Sequence, residues 1–229
     1  MKKFVFLAAA LACVSCFQIN PNFSVRRPGD IKGEGPVVSK DLAFADFHSI
    51  ILNGGAEVKF VQAEEWKVTL KTQENIFDSL DYKVEDSTFV IQIKNHREVR
   101  AEEYSLTIQA PDLRLLEVNG AADFEMEKPF RSEGDVEIEI SGAGDLDLSG
   151  EFVCRNLSIQ VNGAADLEAE ALDVAKVKVQ INGAGDATLK GKASEADFEV
   201  NGAGDIDARS LSVSGKVRKQ AAGLSKIRL

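Results

Sequence analysis

Cysteine is nearly absent from this 229-residue sequence, which holds only Cys13, Cys16 and Cys154. Two of the three sit near the N-terminus, so a disulfide framework is excluded and Cys154 is expected to be a small buried hydrophobe. Histidine is scarcer still: His48 lies in an expected strand and His96 in a polar connector. A Cys–His nucleophile or a His/Cys metal centre lacks its parts. No HExxH, GxSxG or P-loop pattern occurs. Aromatics make up 7%, mostly Phe, with Trp66, Tyr82 and Tyr104 the exceptions. Basic residues are outnumbered by acidic ones, 27 against 37. Such a surface gains no counterion release from phosphates, which argues against nucleic acid as a partner. The apolar run over residues 4–12 spans nine positions, where crossing a bilayer takes about 20.

That short run has another use. Met1, Lys2 and Lys3 form a positive start ahead of it, which is the layout of a secretory leader. Small residues then lead into two cysteines in A-L-A-C-V-S-C, a run that resembles the lipobox of bacterial lipoproteins. Cys16 is the expected lipid attachment site, since it leaves the longer leader, and Cys13 is the alternative. Residues 1–15 are then the leader, and the protein is expected in the cell envelope as an outer-membrane lipoprotein, touching the membrane through its anchor. Removing Lys2 and Lys3 leaves 25 basic residues against 37 acidic, a formal charge of −12. Residues 16–40, rich in Pro, Gly and polar side chains, read as a tether.

Beyond the tether the pattern has period 2. Residues 47–53, 56–62, 66–72, 80–84, 88–94 and 104–109 all read as strands, and only 74–80 offers a helical turn. Internal repetition then takes over. V-N-G-A-A-D at 118–123 returns as I-S-G-A-G-D at 140–145, V-N-G-A-A-D at 161–166, I-N-G-A-G-D at 181–186 and V-N-G-A-G-D at 200–205. Their aspartates stand 22, 21, 20 and 19 residues apart, and L-N-G-G-A-E at 52–57 is a looser sixth copy. A period near 20 calls for a solenoid rather than a sandwich. The fold class read from the sequence is all-β: a single-stranded parallel β-helix, or β-solenoid, with about 20 residues per coil. It would fill residues 41–229, with a less regular capping part over 41–110 and repeated coils over 111–229.

Each coil shows how it would be built. Val136, Ile138 and Ile140 precede one corner, and Leu157, Ile159 and Val161 the next; Val177, Val179 and Ile181, then Ala196, Phe198 and Val200, repeat the pattern. Stacked at about 4.8 Å, such sets form apolar ladders inside a tube that no single coil could bury alone. Small residues at the third and fifth corner positions permit a tight bend and close approach of neighbours. Asn119, Ser141, Asn162, Asn182 and Asn201 form a column able to hydrogen-bond from coil to coil. Asp123, Asp145, Asp166, Asp186 and Asp205 form a second column, expected to be held by nearby backbone amides.

The stretch F-H-S-I-I-L-N-G-G-A-E-V-K-F-V-Q, the later V-E-D-S-T-F-V-I-Q-I and the N-G-A-G-D corners, in this order, resemble the putative auto-transporter adhesin, head GIN domain family. The likeness runs from about Val37 to the end. It implies a right-handed β-helix, carried by secreted or lipid-anchored envelope proteins of Bacteroidetes-type bacteria. No ligand or catalytic residue comes with it. Ser141 departs from the corner pattern, as does the degenerate last coil over 221–229.

Chemistry is sparse. Stacked carboxylates repel unless hydrogen-bonded, solvated or bridged by a cation. A Ca²⁺ ladder would draw on Glu125, Glu127, Asp147, Glu168 and Glu170, yet the calcium-caging nonapeptide is missing, so any Ca²⁺ is expected to be weak and peripheral and no metal or other cofactor is assigned. A carbohydrate-active lyase or hydrolase would need one distinguished pair of acids and a sugar platform. Here the acids repeat regularly, and the coils carry no outward Trp or Tyr. The expectation is a non-enzymatic binding scaffold for a protein or glycan ligand, with the β-helix enzyme and a purely structural spacer as alternatives. The less repetitive part, residues 47–109, is the place to look for a binding face, unless its aromatics only cap the solenoid.

Overall fold

The computed structural model describes residues 30–44 and 46–229. Thirteen strands dominate them. In the N-terminal part these are β1 (Ile31–Lys32), β2 (Val37–Leu42), β3 (Ser49–Gln62), β4 (Lys67–Gln73), β5 (Leu80–Glu85), β6 (Thr88–Ile93), β7 (Val99–Arg100) and β8 (Tyr104–Ala110). The C-terminal part holds β9 (Leu115–Glu125), β10 (Phe130–Arg131), β11 (Val136–Ala184), β12 (Ala187–Val213) and β13 (Val217–Arg228). One helical turn, α1 (Glu74–Phe77), sits where the sequence left room for it.

The fold is all-β, and its main sheet is large and mixed. Eleven strands join it, on the path β13-β12-β11-β9-β3-β8-β4-β2 with β10, β6 and β5 to the side. Every pairing from β9 onward is parallel. The antiparallel pairs β2–β4, β4–β8 and β5–β6 all lie in the N-terminal part. A parallel arrangement through all of residues 41–229 is therefore corrected there. The cause is local in β5–β6: Asp86 and Ser87 both take positive φ, 49° and 57°, forming a two-residue turn that sends the chain straight back. The tether expected over 16–40 is shortened as well. β1 pairs with β7 and β2 pairs with β4, so residues 31–32 and 37–40 belong to strands.

The corner register is consistent along the chain. Asn53 pairs with Asn119, Asn119 with Ser141, Asn182 with Asn201, and Asn201 with Ala222. Extended backbone in β11 continues for 49 residues. The backbone of Gly163 nevertheless lies against that of Gly142, both within β11, so this strand must bend back onto itself. Residues 47–53 and 56–62, expected as two strands, are one strand bent at Gly54, where φ is +134°.

Inside lies one continuous apolar cluster from Ile31 to Leu211. All the inward positions read from the coils are buried, among them Ile138, Ile159, Val179 and Phe198. Phenylalanines pack on one another within it: Phe60 stacks on Phe124 at 6.4 Å, and Phe130 lies 4.9 Å from Phe152. Full burial of one such side chain contributes about 2–3 kcal/mol, and the parallel register repeats that gain at every level.

Candidate functional site

The corner columns run the length of the repeats. At Gly142 φ is +149°, and a Cβ there would stand 1.8 Å from the carbonyl oxygen of Gly120. At Gly163 φ is +151°, and the same atom would stand 2.0 Å from the carbonyl oxygen of Gly142. Backbone rests on backbone, so only glycine fits.

Side chains on either side of the glycines bond from level to level. Asn119 donates its Nδ2 to Asn53 Oδ1 at 3.0 Å, Asn182 to Asn162 at 3.0 Å, and Asn201 to Asn182 at 3.1 Å. Ser141, with its shorter side chain, stands between the two amide runs in register with Asn119. Asn53, which the sequence showed only as a loose echo, begins the first run. Among the aspartates, the backbone N–H of Asp145 donates to Asp123 Oδ1 at 3.1 Å, that of Asp186 to Asp166 at 2.8 Å, and that of Asp205 to Asp186 at 2.8 Å. The amide that holds the carboxylates of Asp123, Asp166 and Asp186 thus comes from the next level. Arg228 closes the column on Asp205 at 2.8 Å.

Of the acids weighed for calcium, Glu125, Glu127 and Glu170 are engaged by lysines. Lys59 Nζ lies 2.5 Å from Glu127 and 3.7 Å from Glu125, and Lys190 Nζ lies 2.5 Å from Glu170. Lys59 holds the Glu127 carboxyl below its ordinary range, while a hydrogen bond with Glu127 pushes Glu125 up. Glu168 and Glu170 repeat this, with Glu168 raised and Glu170 lowered. Each pair therefore shares one protein-supplied cation. Glu125, with Glu57, Asp123, Asp145 and Asp147, faces a cleft of about 450 Å³ that also contains Lys59. No cluster of three or more His, Cys, Asp or Glu is placed to hold a metal among the described residues.

Nucleophiles are equally quiet. Cys154 is buried, and desolvation pushes its thiol up to about 12. His48 has its Nδ1 3.1 Å from the hydroxyl of the buried Ser49 and no acid beside it in that bond. Cys13 and Cys16 lie outside the described residues.

The N-terminal aromatics mostly pack. Trp66 donates its indole N–H to the carbonyl of Phe47 at 2.7 Å, and Tyr82 meets Phe44 edge-on at 6.1 Å. Burial raises the Tyr104 phenol well above its ordinary range. All three rings are partly buried and pack against the core.

What the capping part leaves open is a cleft of about 610 Å³ at the first corner. β6 pairs with β3 only as far as Gln92 opposite Asn53, and the chain then departs into a 3₁₀ turn at Lys94–His96. Above Gly54 no further corner stacks among the described residues: a Cβ there would meet the Ile93 side chain, at 3.8 Å. Gly54 and Gly55 form the floor, Asn53, Gln92 and Asn119 bring amides, and residues 97–100 form a wall with Arg97, Glu98 and Arg100. Arg100 is itself paired with Asp30 at 3.1 Å. Sequence reasoning pointed to this region but not to this cleft, because the cleft exists only where a strand leaves the stack.

Comparison with solved structures places the fold. A putative adhesin from Parabacteroides distasonis aligns with a TM-score of 0.75 at 20% identity, over 87% of this chain and 99% of that one. A putative lipid binding protein from the same species gives 0.74 at 19% identity, again over 87% and 99%. A putative adhesin from Bacteroides fragilis gives 0.65 at 19%, over 87% and 100%. At these identities the likeness is one of fold. A search of curated proteins gives no match. The model of one family matches residues 46–229, most of the sequence and all of its corners, and the chain belongs to that family, the putative auto-transporter adhesin, head GIN domain.

Proposed function

We propose that this chain is a non-enzymatic cell-envelope lipoprotein that binds a protein or glycan partner. Its scaffold is a right-handed parallel β-helix of about 20 residues per coil, and its binding face is the cleft at the first corner. The coil reading is supported by the parallel register, which recurs at offsets of 22, 20 and 19 residues in the side-chain ladders. It is supported also by backbone contact between successive corner glycines. Lipid attachment at Cys16 rests on the leader and the small residues before the cysteine, and the envelope location is supported by the adhesin family to which the chain belongs.

One observation carries the binding assignment: the corner column stops at Gly54, and the 610 Å³ cleft above it is lined by the Asn53 amide and by backbone that a further level would have used. Polar groups convergent on a concave, pre-formed surface are what a ligand site needs. Catalysis is disfavoured by the paired lysines on the acid pairs and by the buried, unreactive thiol.

Glycan and extracellular-protein arrays probed with the whole chain test this reading. Binding that survives Asp166→Asn but is lost in Asn53→Ala with Gln92→Ala is expected. Turnover of a glycan, or equal loss in both variants, would contradict it. Cys16→Ser should abolish labelling by a fatty-acid analogue and release the protein from membranes, whereas continued labelling would move the anchor to Cys13.

A further inference from the structure

The last strand departs from the corner pattern in a coordinated way. β13 has β12 on one side and, among the described residues, no strand on the other. Its register equates Lys219 with the buried Phe198, Ala222 with Asn201, and Leu224 with Ala203. The outward corner position occupied by Leu224 is alanine in every repeated corner: Ala121, Ala143, Ala164, Ala184 and Ala203. Val217, Leu224 and Leu229, at 37%, 88% and 49% exposure, are the exposed large hydrophobic side chains of the described residues.

Charge changes along with shape. After Asp207 the sequence has no acidic residue, and Lys216, Arg218, Lys219, Lys226 and Arg228 gather in and beside β13, on a chain of formal charge −10. Arg218 and Arg228 reach back to Asp197 and Asp205. Lys216, Lys219 and Lys226 have no acid within ion-pair distance among the described residues. Charges on an edge strand discourage unwanted pairing. An edge built only to repel would not present Leu224 to water.

We infer that the β13 edge is a second docking surface, separate from the N-terminal cleft, which takes an acidic, extended segment of another protein as an added strand. The open row of backbone N–H and C=O groups supplies hydrogen bonds, the lysines supply charge complementarity, and Leu224 supplies an apolar anchor. A second copy fits less well. Pairing β13 with β13 would oppose two basic rows, and β2, the other edge of the sheet path, carries Lys40 and Asp41 and no net charge. A bilayer fits less well too, because unpaired backbone of a sheet edge is not satisfied by lipid.

The test titrates the whole chain with a synthetic peptide of alternating glutamate and valine long enough to cover β13. Its lysine-and-valine counterpart and vesicles of anionic phospholipid are run beside it. The acidic peptide should bind, slow hydrogen exchange in β13 and in no other strand, and weaken as salt rises. Lys219→Glu with Lys226→Glu should lower its affinity about tenfold or more, with circular dichroism unchanged. Leu224→Ala should lower affinity and leave the salt dependence as it was. Equal binding of the two peptides, protection confined to other strands, or β13 protection by vesicles and not by the peptide would overturn the inference, the last by making this edge a membrane surface.

Discussion

Two residues show what the corners demand and what the exposed charges contribute. Gly163 combines φ of +151° with a neighbouring carbonyl oxygen 2.0 Å from where a Cβ would stand. Gly163→Val should destabilise the protein by about 3 kcal/mol or more, from backbone strain and overpacking together, read by urea unfolding. A loss under about 0.5 kcal/mol, the scale of an ordinary surface change, would mean that the levels can separate. Asp207 illustrates the charged surface: Arg209, bonded to it through side chain and backbone, lowers its carboxyl from the ordinary 3.8 to about 2. A depressed pKa stabilises the fold fully above about 3.8, and that contribution is lost as pH falls toward 2. Arg209→Gln should move the titration of Asp207 back toward 3.8, followed by NMR; an unmoved midpoint would assign the shift elsewhere.

At the scale of elements, the amide ladder and the β5–β6 hairpin respond to opposite rules. Asn162 accepts from Asn182, whereas the sequence itself tolerates Ser141 one level earlier. Asn162→Ser should therefore cost only about 1 kcal/mol in unfolding free energy, one hydrogen bond's net contribution. The hairpin turn uses non-glycine residues at positive φ, so Ser87→Gly should raise stability by about 1 kcal/mol by relieving that strain. Thermal melts check both, and a destabilised Ser87→Gly would show that its side chain matters more than its backbone.

These elements also show what the sequence could disclose. The repeated strands were legible because an inward residue at every second position and a glycine at every corner repeat four or five times, which averages away local noise. β2 was hidden because V-V-S-K-D-L is one short run after a Gly/Pro-rich stretch, with no copy elsewhere to reinforce it. Parallel and antiparallel strands share period 2, so the reversal at Asp86 and Ser87 was invisible in the alternation. The first-corner cleft was illegible for a related reason. It depends on where β6 stops pairing with Asn53, a tertiary event with no local signature.

At the scale of the whole molecule, repetition and exception divide the labour. Repeated corners are occupied with holding one level to the next, through glycine backbones, amides and aspartates. Exceptions lie at the two ends: a cleft where the corner column stops, and a basic, partly apolar strand where the sheet path stops. Everything rests on the levels being equivalent units. Deleting residues 162–181, one repeat of 20 by the Asn162–Asn182 bond, tests that most directly. The deletion joins Val161 to Asn182 and restores a V-N-G-A-G-D corner. The shortened chain should keep a β-type circular dichroism spectrum and unfold cooperatively, whereas removing half of the same segment should abolish the fold. Loss of structure in both deletions, or survival of both, would contradict the stacked-coil account.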